Sequence, residues 1–398
     1  MRAAAFGPTL AGVTRNPLVP RLQGLGATIF AEMSALALAT DSINLGQGFP
    51  DVDGPDEIKQ RAVDAIWEGR NQYAPGPGTP ELRSAVVHHQ RHWYGIELDP
   101  DDEVLVTAGA TEAVTAAMLA LVDTGDEVVA LEPYYDSYVA AIAMAGGVRV
   151  PVTLRAPDFR LDVARLRAAV SPRTKVILLN SPHNPTGTVL RRDELQAIAD
   201  VAIEHDLIVV TDEVYEHLVY EGEHIPISTL PGMYERTLTI SSAGKTFGLT
   251  GWKVGWATGP ASLVNAVRTT KQFMTYTNAA PMQPAIAHGL MMDDSYFETL
   301  RSDLRRKRDL LCKGLANVGF DVFVPAGTYF ASADIRPLGY DDGFAFCREL
   351  PNLAGVVAIP HAVFYDHVDI GKPLVRFAFC KRDEVLAEAV ERLGKLAR

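Results

Sequence analysis

Cysteine is scarce in this chain, with Cys312, Cys347 and Cys380 the only three among 398 residues. They are odd in number, widely separated and without a C-x-x-C spacing, which argues against a disulfide framework and against a cysteine-bound zinc site. We therefore expect reduced thiols and a cytoplasmic location.

Basic residues are in deficit as well. Lysine and arginine number 37 against 49 aspartates and glutamates, which gives a formal net charge of −12. This balance predicts no surface for nucleic acid or for an anionic membrane. An anionic ligand would have to be held by a local pocket of donors and cations.

Long apolar runs are missing too. No stretch of the sequence approaches the roughly 20 apolar residues that span a bilayer. The N-terminus carries Arg2 and Arg15 but has no apolar core of the kind found in signal peptides. We expect no membrane segment, and we expect residues 1 to about 16, rich in Ala, Gly, Thr and Pro, to form a loose arm.

Strand and helix patterns alternate between about residues 100 and 260. Short β-branched runs followed by helical segments predict a mainly parallel sheet covered on both faces. The predicted strands are Val104–Thr107, Glu127–Leu131, Lys175–Asn180, Leu207–Asp212, Thr237–Ser241 and Lys253–Thr258. The fold class is therefore α/β.

The chain changes character after about residue 285. A long charged helix from Tyr296 to Val318 precedes short strands and a final helix from Arg382. We predict a large domain over residues 51–285 and a small α+β domain over 286–398. Residues 1–50 would combine the N-terminal arm with part of the small domain.

The segments that follow the predicted strands are unusually polar, and ligands of parallel sheets bind at that edge. One of them contains Gly244, Lys245 and Thr246, which invites a phosphate-loop interpretation. That motif requires glycine five positions before Gly244, and position 239 is threonine. A phosphate-loop NTPase is therefore excluded.

Four of these segments together resemble a known family. They are NSPHNPTG at 180–187, DEVY at 212–215, SSAGKTF at 241–247 and GWKVG at 251–255. In this order they are similar to the class I and II aminotransferases, enzymes of pyridoxal 5′-phosphate (PLP) fold type I. The resemblance runs from NLGQGFPD at 44–51 to Arg376. It implies a large domain with a mainly parallel seven-stranded sheet, a small α+β domain and a homodimer.

The finer resemblance is to kynurenine and glutamine aminotransferases. Three further segments, 30–37, 211–218 and 336–342, are similar to actinobacterial N-succinyldiaminopimelate aminotransferases. The sequence leaves the choice between these substrate classes open.

The resemblance implies PLP as the cofactor and assigns residues to its ring. Lys245 would hold PLP and, once released, move a proton at the substrate α-carbon. Asp212 would pair with the ring nitrogen and keep it protonated. Tyr215 and Asn184 would hydrogen-bond the phenolic oxygen of the ring, and Tyr134 would stack on its face. Lys245, Asp212 and Tyr215 form the predicted catalytic set.

The cofactor phosphate needs hydrogen-bond donors. Ala110 and Thr111 begin a predicted helix, so their backbone N–H groups would point at an anion. Ser242 would add a hydroxyl and Lys253 a charge, where the family often has arginine. The resemblance implies that Tyr73 reaches the phosphate of the partner subunit.

The substrate carboxylate needs a bidentate partner, and the resemblance assigns this role to Arg376, with Asn184 and the backbone of Gly46 nearby. The rest of the pocket would come from residues 46–49, Tyr134 and the partner's segment 273–282, which contains no lysine or arginine. A small dicarboxylic substrate is therefore disfavoured. We expect aromatic, sulfur-containing or acylated donors with 2-oxoglutarate as acceptor; by position alone, Arg21 could still supply a cation.

Two other functions stay open at this point. A C–S β-lyase or an aminocyclopropane-carboxylate synthase would keep the same lysine, aspartate and arginine. A non-enzymatic regulator on this fold would carry a basic DNA-binding module, and residues 1–40 are too short and not basic. The ten histidines, among them His88, His89 and His205, show no ligand spacing, so no metal site is expected.

Overall fold

The computed structural model describes residues 16–25 and 28–397. The expected loose arm over residues 1 to about 16 falls almost wholly outside the described residues. Within the part that is described, none of the helices has the length and apolar character to cross a membrane.

The strands, in chain order, are β1 (Ile43–Asn44), β2 (Val104–Thr107), β3 (Glu127–Glu132), β4 (Val148–Thr153), β5 (Thr174–Asn180), β6 (Ile208–Asp212), β7 (Thr237–Ser242), β8 (Gly255–Thr258), β9 (Asp321–Phe323), β10 (Phe330–Asp334), β11 (Val356–Val357), β12 (Ile359–Pro360) and β13 (Leu374–Ala378).

The α-helices are α1 (Ile29–Ala39), α2 (Asp56–Trp67), α3 (Pro80–Tyr94), α4 (Gly109–Leu121), α5 (Asp136–Ala145), α6 (Val163–Ala169), α7 (Arg192–Glu204), α8 (Ala243–Thr246), α9 (Ala261–Lys271), α10 (Met282–Leu290), α11 (Asp294–Val318), α12 (Gly343–Ala354), α13 (Val368–Gly371) and α14 (Asp383–Leu393).

Seven strands form the large sheet in the order β2-β8-β7-β6-β5-β3-β4. All neighbours are parallel except β8, which is antiparallel to both β2 and β7. The central strands are buried because both of their faces are apolar, and helices α4, α5 and α9 cover one face while α6 and α7 cover the other. The predicted α/β class and the mainly parallel seven-stranded sheet are confirmed.

The carboxyl ends of the central strands lie in register. Asn180 at the end of β5 is opposite Asp212 at the end of β6, and Asp212 is opposite Ile240 in β7. Polar residues that follow these strands therefore meet at one edge of the sheet.

The small domain contains an antiparallel sheet in the order β12-β13-β10-β9. Strand β1 pairs in parallel with β11, through Ile43 and Val356, and this pairing supports our proposal that part of residues 1–50 belongs to the small domain. The proposed boundary at 285 falls inside α10. Because α10 packs on α2 and α3 with Ala285 and Ile286 buried between them, we now propose that the large domain extends to Leu290.

Two local signals mark the start and the end of helix α12. The Asp342 carboxylate accepts hydrogen bonds from the N–H groups of Phe344 (2.9 Å) and Ala345 (3.1 Å) and caps its start. Gly355, with φ of 65°, ends the helix in the left-handed conformation that glycine adopts most easily.

Candidate active site

A cavity of about 460 Å³ opens at the carboxyl edge of the large sheet and reaches β10 and β13 of the small sheet. It is large enough for a cofactor together with a substrate. The residues predicted for the site that line it are Ala110, Thr111, Asn184, Asp212, Tyr215, Ser242, Lys245, Lys253 and Arg376.

Asp212 ends β6 with its carboxylate buried. The hydroxyl of Tyr138 donates to its Oδ2 at 2.6 Å, and the Val214 N–H donates to Oδ1 at 3.3 Å. Burial raises the pKa of Asp212 to about 6, although these hydrogen bonds and nearby Lys245 act in the opposite direction. A cationic ring nitrogen facing this carboxylate would offset the loss of water and hold both groups charged.

Lys245 lies in α8, the single turn that follows β7. Its Nζ is 5.9 Å from the ring centroid of Tyr215 and 5.7 Å from that of Tyr329. Burial lowers the pKa of Lys245, more than the attraction of Asp212 raises it. A lowered pKa increases the fraction of neutral amine, the form that reacts with a carbonyl group.

Arg376 in β13 is 1 % exposed and faces the cavity from the small sheet. Its Nη1 donates to Asn184 Oδ1 at 2.8 Å and its Nη2 to the carbonyl oxygen of Gly46 at 3.2 Å. Within the described residues its buried Nε has no hydrogen-bond partner. Burial lowers the pKa of Arg376 to about 10, so the guanidinium is charged at neutral pH and suits a carboxylate.

A cradle for an anion forms where α4 begins. The first N–H groups of a helix have no partner within the helix, and here they belong to Gly109, Ala110 and Thr111. A side chain at Gly109 would lie 3.2 Å from Lys253 Nζ, so that ammonium sits against the same turn. A Cβ at Gly255 would lie 2.8 Å from the carbonyl carbon of Gly109, so β8 approaches α4 more closely than any larger residue would allow.

The structure places Tyr134, which was expected to stack on the cofactor ring, outside the cavity. Tyr134 is buried, and its hydroxyl accepts a hydrogen bond from Arg149 Nε at 2.6 Å. Tyr135 lines the cavity instead. Consecutive residues in extended backbone point in opposite directions, so the Glu-Pro-Tyr-Tyr pattern did not reveal which tyrosine faces inward.

Gly46 and Tyr73, also predicted for the site, do not line the cavity. Gly46 contributes only its carbonyl oxygen, the acceptor for Arg376. Tyr73 is 84 % exposed, and its ring packs edge-on against Tyr276 at 5.7 Å. Phe273, in the segment expected to reach a partner subunit, is 82 % exposed.

Sequence reasoning missed two residues that support the site. Tyr138 bonds to Asp212 across 74 positions of sequence, and Asn180 donates from Nδ2 to the Asp212 carbonyl oxygen at 2.8 Å. Tyr138 follows the cavity-lining Tyr135 at the i+3 spacing of one helix face, which is the signal that could have found it.

A group of buried polar residues lies behind the site. His89 Nε2 and His217 Nε2 are 2.7 Å apart, and possible ligand atoms of His89, Glu216 and His217 lie within 4.8 Å of one another. Burial lowers the pKa of His89 to about 3 and keeps that ring neutral. One histidine can then donate to the other, and Glu216 accepts from Ser241 at 2.5 Å, while the buried Nδ1 of His89 has no hydrogen-bond partner among the described residues.

The donor set fits PLP. The α4 cradle with Lys253 matches its phosphate, the Asp212 carboxylate matches its ring nitrogen, and the amine of Lys245 matches its aldehyde carbon. On the small-sheet side of the cavity, the unpartnered Nε of Arg376 is a buried donor that a substrate carboxylate could use.

Comparisons with known proteins agree with this geometry. The family model for aminotransferase class I and II matches residues 40–393. The chain is 52% identical over 391 residues to the probable N-succinyldiaminopimelate aminotransferase DapC of Mycobacterium tuberculosis, covering 95% of this chain and 98% of that protein. The solved structure of the N-succinyldiaminopimelate aminotransferase of that organism superposes with a TM-score of 0.93 and 53% identity, covering 95% of this chain and 100% of the other.

Two further relatives have other substrates in their names. The methionine aminotransferase of Escherichia coli is 40% identical over 387 residues, which is 96% of this chain and 100% of that protein. Kynurenine–oxoglutarate transaminase 3 of mouse is 40% identical over 403 residues, which is 93% of this chain and 88% of that protein.

Proposed function

Because the chain belongs to the class I and II aminotransferases, PLP-dependent enzymes that move an amino group between an amino acid and a 2-oxo acid, we propose that its donor is N-succinyl-LL-diaminopimelate and its acceptor 2-oxoglutarate. The observation that carries the choice of donor is the identity of 52% over 95% of the chain to the mycobacterial relative with that substrate in its name. The same pocket would accept methionine and kynurenine more weakly, in line with the substrates named for the relatives at 40% identity.

Lys245, Asp212 and Tyr215 are the proposed catalytic residues. When bound, PLP supplies the electron sink that stabilises negative charge at the substrate α-carbon. Lys245 would anchor the cofactor and then carry the proton to and from that carbon, a role that suits an amine with a lowered pKa. Asp212 would keep the ring nitrogen protonated, and Tyr138 would hold Asp212 in place.

The remaining residues would bind and orient. Arg376 would hold the substrate carboxylate, and Asn184, which lines the cavity, would position Arg376. Tyr135 would stack on the cofactor ring. The phosphate would be held by the first turn of α4, Ser242 and Lys253.

We propose a homodimer whose subunits complete each other's sites. The support is the exposure of Tyr73 and Phe273, since large aromatic side chains that face solvent often mark a surface covered by a partner. Tyr73 would reach the phosphate of the partner subunit, and the segment 273–282 would close its substrate pocket.

We place the enzyme in a reducing cytoplasm. All three cysteines are buried free thiols, and burial raises the pKa of the Cys380 thiol to about 11. Thiols of this kind fit a compartment without disulfide formation.

A donor panel tests the proposal. The purified PLP-loaded protein is assayed with N-succinyl-LL-diaminopimelate, methionine, kynurenine, glutamine and aspartate, each with 2-oxoglutarate, and glutamate formation is measured. The succinylated donor should give the highest kcat/KM. If aspartate gives the highest value, the pocket assignment is wrong. Release of ammonia and pyruvate from an S-substituted cysteine, assayed without an acceptor, would indicate a C–S β-lyase instead.

A further inference from the structure

A second cavity of about 540 Å³ adjoins the active site. Its wall shares Thr28, Phe30, Asp136 and Ser137 with the first cavity. The ring centroid of Phe30, which lines both cavities, lies 5.4 Å from the Arg376 guanidinium. The second cavity therefore opens close to Arg376. A substrate held by Arg376 could extend a long side chain past Phe30 into this space.

The second cavity contains a cation. Arg348, from the well-capped helix α12, is the one basic side chain among the described residues that line it. Its Nε donates to Glu32 Oε1 at 2.7 Å and its Nη2 to Oε2 at 3.3 Å, while its guanidinium packs 5.7 Å from the Phe344 ring centroid. These contacts leave Nη1 without a partner within the described residues. Arg21, the cation considered from sequence position, lines neither cavity.

Asp136 stands between the two arginines. It begins α5, lines both cavities and accepts no side-chain hydrogen bond within the described residues. Burial raises its pKa, although the Arg376 guanidinium acts in the opposite direction. A carboxylate near this point would be repelled, whereas an amide N–H would find an acceptor.

Building on the proposed function, we infer that Arg348 is a specificity-determining residue that binds a distal carboxylate of the donor. The order of charges along the path is Arg376, Asp136, Arg348. The donor that matches this order has its α-carboxylate at one end, an uncharged or N–H-bearing arm in the middle and a second carboxylate beyond it. Long acidic or acylated amino acids fit, whereas aspartate would bring its second carboxylate too close to Asp136.

Two chemically matched donors isolate the distal carboxylate. 2-Aminopimelate and 2-aminoheptanoate have the same seven-carbon chain and differ only in whether it ends in a carboxylate or a methyl group. KM and kcat are measured for both, and for N-succinyl-LL-diaminopimelate, with the PLP-loaded wild type, Arg348→Gln, Glu32→Gln and Arg306→Gln. Arg306 is the control because it is also ion-paired and similarly exposed, with side-chain exposures of 51% and 54%, and it lines neither cavity.

The two variants of the ion pair should shift KM in opposite directions. Arg348→Gln should raise KM for 2-aminopimelate and for the succinylated donor about fivefold, which corresponds to the loss of one half-exposed ion pair. The kcat for these donors and the KM for 2-aminoheptanoate should not change. Glu32→Gln removes the competing carboxylate and should lower KM for the acidic donors about twofold. If the ion pair were purely structural, both variants would raise KM or lower kcat for all donors.

The failures can be told apart. If the wild type transaminates neither these donors nor methionine, the proposed function itself fails. If it transaminates 2-aminoheptanoate and methionine, but the ratio of KM values for the matched donors is the same in wild type and Arg348→Gln, the role of Arg348 is refuted.

Discussion

Replacing Asp212 by asparagine should stabilise the cofactor-free protein while it destroys the enzyme. The carboxyl group has a pKa of about 6 in the folded protein, against an ordinary value of 3.8. A difference of about two pKa units corresponds to about 3 kcal/mol of unfavourable folding free energy once the group is ionised. Asparagine has nearly the same shape, can still accept the Tyr138 hydrogen bond, and has no charge to bury.

The sign of the pH dependence follows from the raised pKa. The folded protein holds the Asp212 proton more tightly than the unfolded chain does, so ionisation favours unfolding. Relative to Asp212→Asn, the cofactor-free wild type should lose stability as pH rises from about 4 to about 7, and the difference should level off above that range.

Urea unfolding of the cofactor-free proteins at several pH values measures this difference. Asp56→Asn is the control, because Asp56 is exposed and Lys59 lowers its pKa. A lowered pKa contributes stability that is lost as pH falls, so any effect of the control should have the opposite sign. If Asp212→Asn shows no gain in stability that grows with pH, folding does not raise the pKa of Asp212.

Three other changes test the site. Lys245→Ala should abolish turnover and visible absorbance, and borohydride should fix the cofactor of the wild type to the peptide that contains Lys245; full turnover by the variant would disprove the assignment. Arg376→Lys should lose about one to two decades in kcat/KM for every donor while PLP still binds, because an ammonium lacks the two parallel hydrogen bonds of a guanidinium; unchanged kinetics would place the carboxylate elsewhere. Mixed dimers of Lys245→Ala with Tyr73→Phe should regain activity, since one of their sites is intact, whereas Lys245→Ala with Arg376→Ala should not; a fully active monomer on a sizing column would rule out shared sites.

The fold and most of the cavity could be predicted because they depend on local patterns. Each central strand is a short β-branched run, and the residue that follows it lies at the same edge of the sheet. Strand β4 was missed because it contains Pro151, which is tolerated at this sheet edge but argues against a strand in sequence.

The remaining features depend on contacts that sequence patterns do not encode. The choice of Tyr135 over Tyr134 is set by backbone direction after β3, and the role of Tyr138 by a contact with Asp212 across 74 positions. Arg348 lies far along the chain from the residues of the first cavity, and only the packing of α12 beside α1 brings it to the substrate path.

Because β8 runs antiparallel to β7, one short connection brings two lysine side chains to the same edge of the sheet. The chain leaves the cavity edge at Lys245, after parallel strand β7, and returns to the same edge at Lys253 before it enters antiparallel β8. An inserted residue between these lysines would shift one relative to the other, so the length of this connection should tolerate no change. Insertions in the loops at the opposite edge of the sheet, such as the turn between α7 and β6, would leave both lysines in place.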